Sequence, residues 1–242
     1  MKGFNRFKTW VLIAALGGLF IGIGSIWGRN GMIIALVIAL VFNFAMYWFS
    51  DKIAVATSRA KPVTEQEYPE LYRIVRELTQ ARGIPMPRIY VSEMTQPNAF
   101  ATGRNPAHAA IVVTTGLLRK LSRMELEGVL AHELSHIRTN DIRVTSLGTA
   151  LVGLPLMPAG PLATRLLTAL VGRARERDAD LGGVRLTRYP PGLAAALEKV
   201  RRDGPPVLPA SRATAHLWIS SPLDAEAGAG RLEERIAALR DM

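Results

Sequence analysis

Two long apolar stretches open the chain. Residues 9–27 run nineteen positions without a charge, and residues 31–50 add twenty more in which Asn43 is the strongest polar side chain. Either stretch, coiled as a helix, can cross a hydrocarbon core of about 30 Å. Trp10, Trp27, Tyr47 and Trp48 fall near the ends of these stretches, where amphipathic rings prefer the membrane–water boundary. Residues 28–30 leave room only for a tight turn, so the pattern predicts a membrane hairpin over 1–52. A cleaved leader is disfavoured because no small-residue cleavage site follows Trp27, and a soluble hairpin because both stretches are apolar all round.

After the hairpin the pattern changes to that of a packed domain over 53–242. Leu71, Ile74, Val75 and Leu78 recur at helical spacing, which predicts a helix over 64–82. Thr64 and Glu67 are spaced as its capping box and Gly83 as its stop. Residues 88–91 and 109–114 read as short strands, with a third, edge strand within 95–103. A second amphipathic helix is predicted over 123–138, with Ser122 and Glu125 spaced as a capping box. Its apolar face is Met124, Leu126, Val129, Leu130, Leu134 and Ile137. Two further helices are predicted near 192–202 and 231–240. The fold class is mainly α with a small β-sheet behind a transmembrane hairpin.

Composition narrows the chemistry. The 242 residues include no cysteine, which excludes disulfides, Cys-ligated metal and thiol nucleophiles. Hydrophobic residues make up 49% of the chain, a membrane-like share. The net charge of +10 suits a protein lying against anionic lipid. No compact basic run with interleaved aromatics is present, so nucleic acid is not an expected partner. Lys2, Arg6 and Lys8 precede the hairpin and Lys52, Arg59 and Lys61 follow it, while Arg29 alone lies in the turn. That asymmetry places both flanks, and everything downstream, in the cytoplasm.

The candidate chemistry sits in the 123–138 helix, where His132-Glu133-Leu134-Ser135-His136 is an H-E-x-x-H pattern. Residues four apart on a helix lie one above the other, so His132 and His136 can face one metal ion, with Glu133 as a general base toward a water. Zinc suits two imidazoles and a carboxylate. The bland alternative is a helix with two surface histidines.

Met86 to Val91, the run Pro97-Asn98-Ala99-Phe100-Ala101-Thr102-Gly103, the strand into Thr115-Gly116-Leu117-Leu118, and His132 to His136 with Asp141 follow one another in order. With the N-terminal hairpin they resemble the HtpX family of membrane-anchored zinc endopeptidases. The resemblance implies a zincin-like catalytic domain, protein or peptide substrates, and a role in membrane-protein quality control and stress response on the cytoplasmic side of a bacterial inner membrane. It also implies that Asn98, Ala99, Phe100 and Ala101 align substrate. A short sheet before the metal helix can take an extended peptide on its free edge; an ordinary hairpin without ligand fits the strand pattern equally well.

Two histidines leave tetrahedral zinc one protein ligand short. Glu176 and Asp180 are four apart in a helical stretch, so Glu176 can bind metal while Asp180 accepts a hydrogen bond from a ligand imidazole. The alternative is a solvated charge cluster. Arg175, Glu176, Ala179 and Asp180 match the family's third-ligand motif, although Arg177 stands where an aromatic is usual. Asp141 is a weaker candidate for a similar outer hydrogen bond.

Two departures stand out. Residues 144–171 are apolar but hold Pro155, Pro158, Pro161 and Arg165, and they are too few for two crossings, which need about forty residues. A short apolar hairpin that packs on the domain or dips into the bilayer is predicted there. The family's Thr-His-Pro-Pro run before the last helix is missing, with residues 225–230 in its place, which leaves His216 as a candidate oxyanion donor. These departures motivate a second reading: a metal-bearing membrane protein that has lost cleavage and acts as a binding or assembly factor.

Overall fold

The computed structural model describes residues 10, 11, 14, 17, 18, 20–142, 145, 146, 173–203, 217–219 and 230–242. The predicted apolar hairpin at 144–171, apart from Thr145 and Ser146, and His216 lie outside the described residues.

The first long element is helix α1, Gly28–Thr57. The chain reverses just before it, through a 3-10 turn at Ser25–Trp27 and a left-handed Gly28 (φ 70°), so the predicted turn at 28–30 belongs instead to the start of the helix. Gly24 makes that reversal tight: a Cβ there would strike Gly31 and Ala35. Phe20 and Phe42 meet across the pair with ring centroids 5.5 Å apart. The stretch Phe20–Ala45, which contains this reversal, is apolar and only sparsely buried. Leu40, Val41 and Phe44 turn their side chains outward, while Asp51 and Ala54, nearer the C-terminal end, are buried. The helix therefore has an apolar, unpacked half and a half docked on the protein.

Helix α2, Pro69–Arg82, buries Leu71, Ile74, Val75 and Leu78 and ends at a left-handed Gly83, as its pattern predicts. It starts five residues later than predicted. Glu67 does accept from the Thr64 N–H (2.7 Å) and hydroxyl (2.8 Å), but in a turn ahead of the helix. Pro69 sets that boundary, since proline suits a first helical position and forces the residue before it out of helical space.

Four strands form one sheet in the order β1-β2-β4-β3. β1 is Lys61–Pro62, β2 Arg88–Ser92, β3 Ala99–Gly103 and β4 Ala109–Thr114. β2 and β4 run parallel; β1 and β3 are antiparallel edges. β1 was not predicted: it is only two residues long and contains a proline, which tolerates pairing only at an edge. Helix α3, Thr115–Lys120, follows β4 and is capped by the Thr114 hydroxyl.

Helix α4, Arg123–Thr139, lies against the sheet and carries the H-E-x-x-H pattern; both halves of its capping box form. Val129, Leu130, Leu134 and Ile137 are fully buried against Ile111 and Val113 of β4 and Leu193 and Leu197 of α6 (Pro190–Asp203). Met124, expected on that face, is exposed at the first turn. Helix α5, Arg173–Thr187, packs across α4, and helix α7, Gly230–Arg240, closes over both α5 and α6.

Candidate active site

The site forms where α5 crosses α4. That crossing is close because α5 carries Gly182 and Gly183. A Cβ on Gly183 would stand 3.0 Å from the His132 backbone nitrogen, and one on Gly182 would stand 2.5 Å from the Ser135 hydroxyl. The two glycines bring the carboxylates of Asp180, less than a turn earlier in α5, and Glu176, about two turns earlier, over the imidazoles of α4.

Three donor atoms converge there. The His132 and His136 Nε2 atoms are 3.2 Å apart, and the two Glu176 oxygens lie 3.5 and 3.6 Å from them. With one donor atom taken from each residue, all three lie within 4.8 Å of one another, close enough to share one metal ion. His132 is fully buried and His136 nearly so, which rules out two surface histidines. Glu176 is partly buried and packed among ligand candidates and guanidinium groups, so it is no solvated charge cluster.

The outer nitrogens of both rings meet acids. Asp180 Oδ1 lies 2.8 Å from His132 Nδ1, close but poorly aligned with the ring N–H. Asp141 Oδ2 lies 3.3 Å from His136 Nδ1 and also accepts from the Thr139 hydroxyl at 2.7 Å. Such acids fix the tautomer that turns each Nε2 lone pair toward a metal.

Arg235, on α7, was missed in the sequence. Its guanidinium donates to both Asp180 oxygens at 2.8 Å, lies 3.3 Å from Glu176 Oε2, and donates to the Ile219 carbonyl at 3.2 Å. The available signal is a charge beside the Leu232, Ile236 and Leu239 stripe, on the face that α7 buries. Arg175 adds a second guanidinium 3.1 Å from Glu176.

These charges set the protonation states. Burial would raise Glu176, but His136, His132, Arg235 and Arg175 hold it well below the ordinary carboxylate value. Burial works against protonation of His132, yet Asp180 and Glu176 push it up to about 9. The field at the His132 ring thus favours a positive charge, a proton in the bare site or a metal ion in a loaded one. Glu133, almost fully buried beside the pair, is raised by desolvation, toward the range where a carboxylate can accept and return a proton.

Asn98 to Ala101 lie at the start of the edge strand β3. Asn98 is fully buried; its side-chain oxygen accepts from the Ala99 N–H at 3.0 Å and its carbonyl from the Thr114 N–H at 3.0 Å. The Phe100 side chain points into a core cluster, edge-on to Trp218 with centroids 4.6 Å apart.

Residues 65–242 match the profile of Peptidase family M48. The chain belongs to that family. Its curated relatives narrow the group: "Protease HtpX homolog" of Syntrophobacter fumaroxidans is 41% identical over 280 aligned residues, covering 98% of this chain and 99% of the relative. The protein of the same name from Burkholderia mallei is 42% identical, covering 99% and 97%. This is therefore a metalloprotease of the HtpX kind. An alignment of 280 positions exceeds the chain's 242 residues, so these relatives carry segments that this chain lacks. The crystal structure of S. mikatae Ste24p shares the fold, with a TM-score of 0.56 at 20% identity, covering 98% of this chain and 65% of that one.

Proposed function

We propose that the protein is a membrane-anchored, zinc-dependent endopeptidase that cuts misfolded or membrane proteins on the cytoplasmic side of a bacterial inner membrane. The observation that carries this reading is the convergence of His132, His136 and Glu176, whose donor atoms lie within 4.8 Å of one another, with Glu133 buried beside them. The N-terminal hairpin, with spans at 9–27 and 31–50, would anchor the catalytic domain, and the outward apolar side chains of α1 support that part.

His132, His136 and Glu176 would hold the ion, and Asp180 and Asp141 would orient the two rings. Zinc, when bound there, supplies Lewis acidity that acidifies a water and polarises the scissile carbonyl. Glu133 takes the proton that the attacking water loses and delivers it to the leaving amine as the C–N bond breaks. Backbone groups of β3 would pair with an extended substrate, as in strand addition, and hold its scissile bond over the site. The Glu133→Gln protein is expected to retain its metal while casein or self-cleavage falls to background. A Glu133→Gln protein as active as the parent would remove Glu133 from the chemistry. Metal-loaded parent protein that cuts nothing would favour the binding-factor reading instead.

A further inference from the structure

β3 has a direction relative to the bilayer. Arg104, one residue past the end of β3, stacks its guanidinium 4.2 Å over the Trp48 ring and donates to the Trp48 carbonyl. Phe100, near the start of β3, shares an apolar cluster with Ala54. Moving from Phe100 to Arg104 therefore moves back along α1 from Ala54 to Trp48. The two runs are of comparable extent: four strand residues span about 13 Å, and six helix residues about 9 Å. β2 gives the same frame independently. Arg88 pairs with Asp51 at 2.7 Å and the Ser92 hydroxyl donates to the Ser58 carbonyl at 2.6 Å, so β2 runs along α1. β4 is parallel to β2 and β3 antiparallel to β4, so β3 runs against α1, as the first pair of contacts requires.

The apolar belt of α1 ends at Trp48 and Phe49, both about half exposed, with Lys52 5.4 Å from the Phe49 ring centroid. Tryptophan and snorkelling cations mark a membrane boundary. β3 thus runs toward the bilayer, and its far end, at Arg104, sits at the surface.

Only a short part of its outer edge is left unpaired among the described residues. The Asn98 carbonyl faces β4, so by alternation the backbone groups of Ala99, Ala101 and Gly103 face outward. The Ala99 carbonyl is taken by the Ile219 N–H at 3.0 Å, and the Gly103 N–H donates to the Ser146 hydroxyl at 2.9 Å. Among the described residues, no partner meets the outward N–H and carbonyl of Ala101. A peptide laid antiparallel, the more stable pairing, exchanges both bonds with Ala101 through a single residue.

We infer that the protease selects cytoplasmic segments that directly follow a membrane span, because a peptide paired antiparallel with Ala101 must run N-to-C away from the bilayer. This rests on the endopeptidase reading above and adds the substrate's polarity and depth. Ala101 is three residues from Arg104, about 10 Å of strand. The paired substrate residue therefore lies about three extended residues beyond the end of the span.

The test uses full-length protease in proteoliposomes and three substrates carrying one cleavable sequence. One has it immediately after a single span, one immediately before the same span, and one is the free peptide. The expected result is faster cleavage of the first than of the second, by about tenfold or more, since a tether that presents the peptide backwards loses effective concentration. Mass spectrometry of the first product should place the cut within about six residues of the span. Moving the sequence some twenty residues out along a flexible linker should erase the preference. Equal rates, or preference for the peptide ahead of the span, overturn the inference, as does cleavage of the free peptide alone. If even the free peptide survives, the endopeptidase reading fails and this one with it.

Discussion

Arg235→Met keeps an unbranched apolar stem and deletes the fork that binds Asp180. In the parent, two bonds of 2.8 Å hold Asp180, whose side chain is 5% exposed, and a third group lies 3.3 Å from Glu176. Deleting one partner of a buried pair leaves the other uncompensated and costs about 3–5 kcal/mol. At about 2–4 °C per kcal/mol for a chain of this size, Tm should fall by about 6–20 °C. The same change frees the acid that orients His132, so metal affinity should drop about 10–100-fold. Arg235→Lys keeps the charge without the paired geometry and should fall between the two. Fluorescence-monitored unfolding in detergent, with and without added zinc, reads the first effect; competition against a chromogenic chelator reads the second. The reasoning is refuted if the Met variant matches the parent in metal affinity, or loses stability with no change at the metal.

Asp180→Asn should weaken metal binding by about 10–100-fold and, by leaving buried Arg235 short of its partner, lower Tm as well, checked by chelator competition and thermal unfolding. Gly182→Ala pushes a methyl into Ser135 on the metal helix and should cost about 1–3 kcal/mol; Ser135→Ala in the same chain should recover part of it. Glu125 is buried at the start of α4, and although burial raises its pKa, the Lys199 ammonium (2.7 Å) and the Ser122 cap hold it below the ordinary 4.5. A lowered folded-state pKa stabilises above the unfolded value and is lost as pH falls through the folded one. The stability gap between the parent and Glu125→Gln, about 1 kcal/mol near neutrality, should therefore shrink on acidification from about pH 4.5. Urea titrations at stepped pH would show it.

Local pattern carried much of this protein. The capping box of Ser122 and Glu125, the stop at Gly83 and the β-branched run of β4 are each written within a few residues, so their elements were legible. The boundaries that shifted did so for equally local reasons that outrank periodicity, such as Pro69 ending the turn at Thr64 and Glu67. The pairing of His132 with His136 follows from helical spacing alone, whereas Glu176 needs a crossing of two helices, and that crossing depends on Gly182 and Gly183 having no side chain. Arg235 lies 55 residues beyond its partner Asp180. No spacing rule links them, and only the docking of α7 shows that a charge beside an apolar stripe turns inward. The direction of β3 against α1 is likewise a property of tertiary contacts between Trp48 and Arg104 and between Asp51 and Arg88.

In this site one divalent ion would be held jointly by two imidazoles on α4 and a carboxylate on α5. Metal content per chain, measured by mass spectrometry on purified parent and Glu176→Ala proteins after dialysis against a weak chelator, tests it most directly. One zinc per parent chain and well under one in the variant are expected, with proteolysis lost in step. Equal zinc in both proteins, or none in a parent that still cleaves, would contradict it.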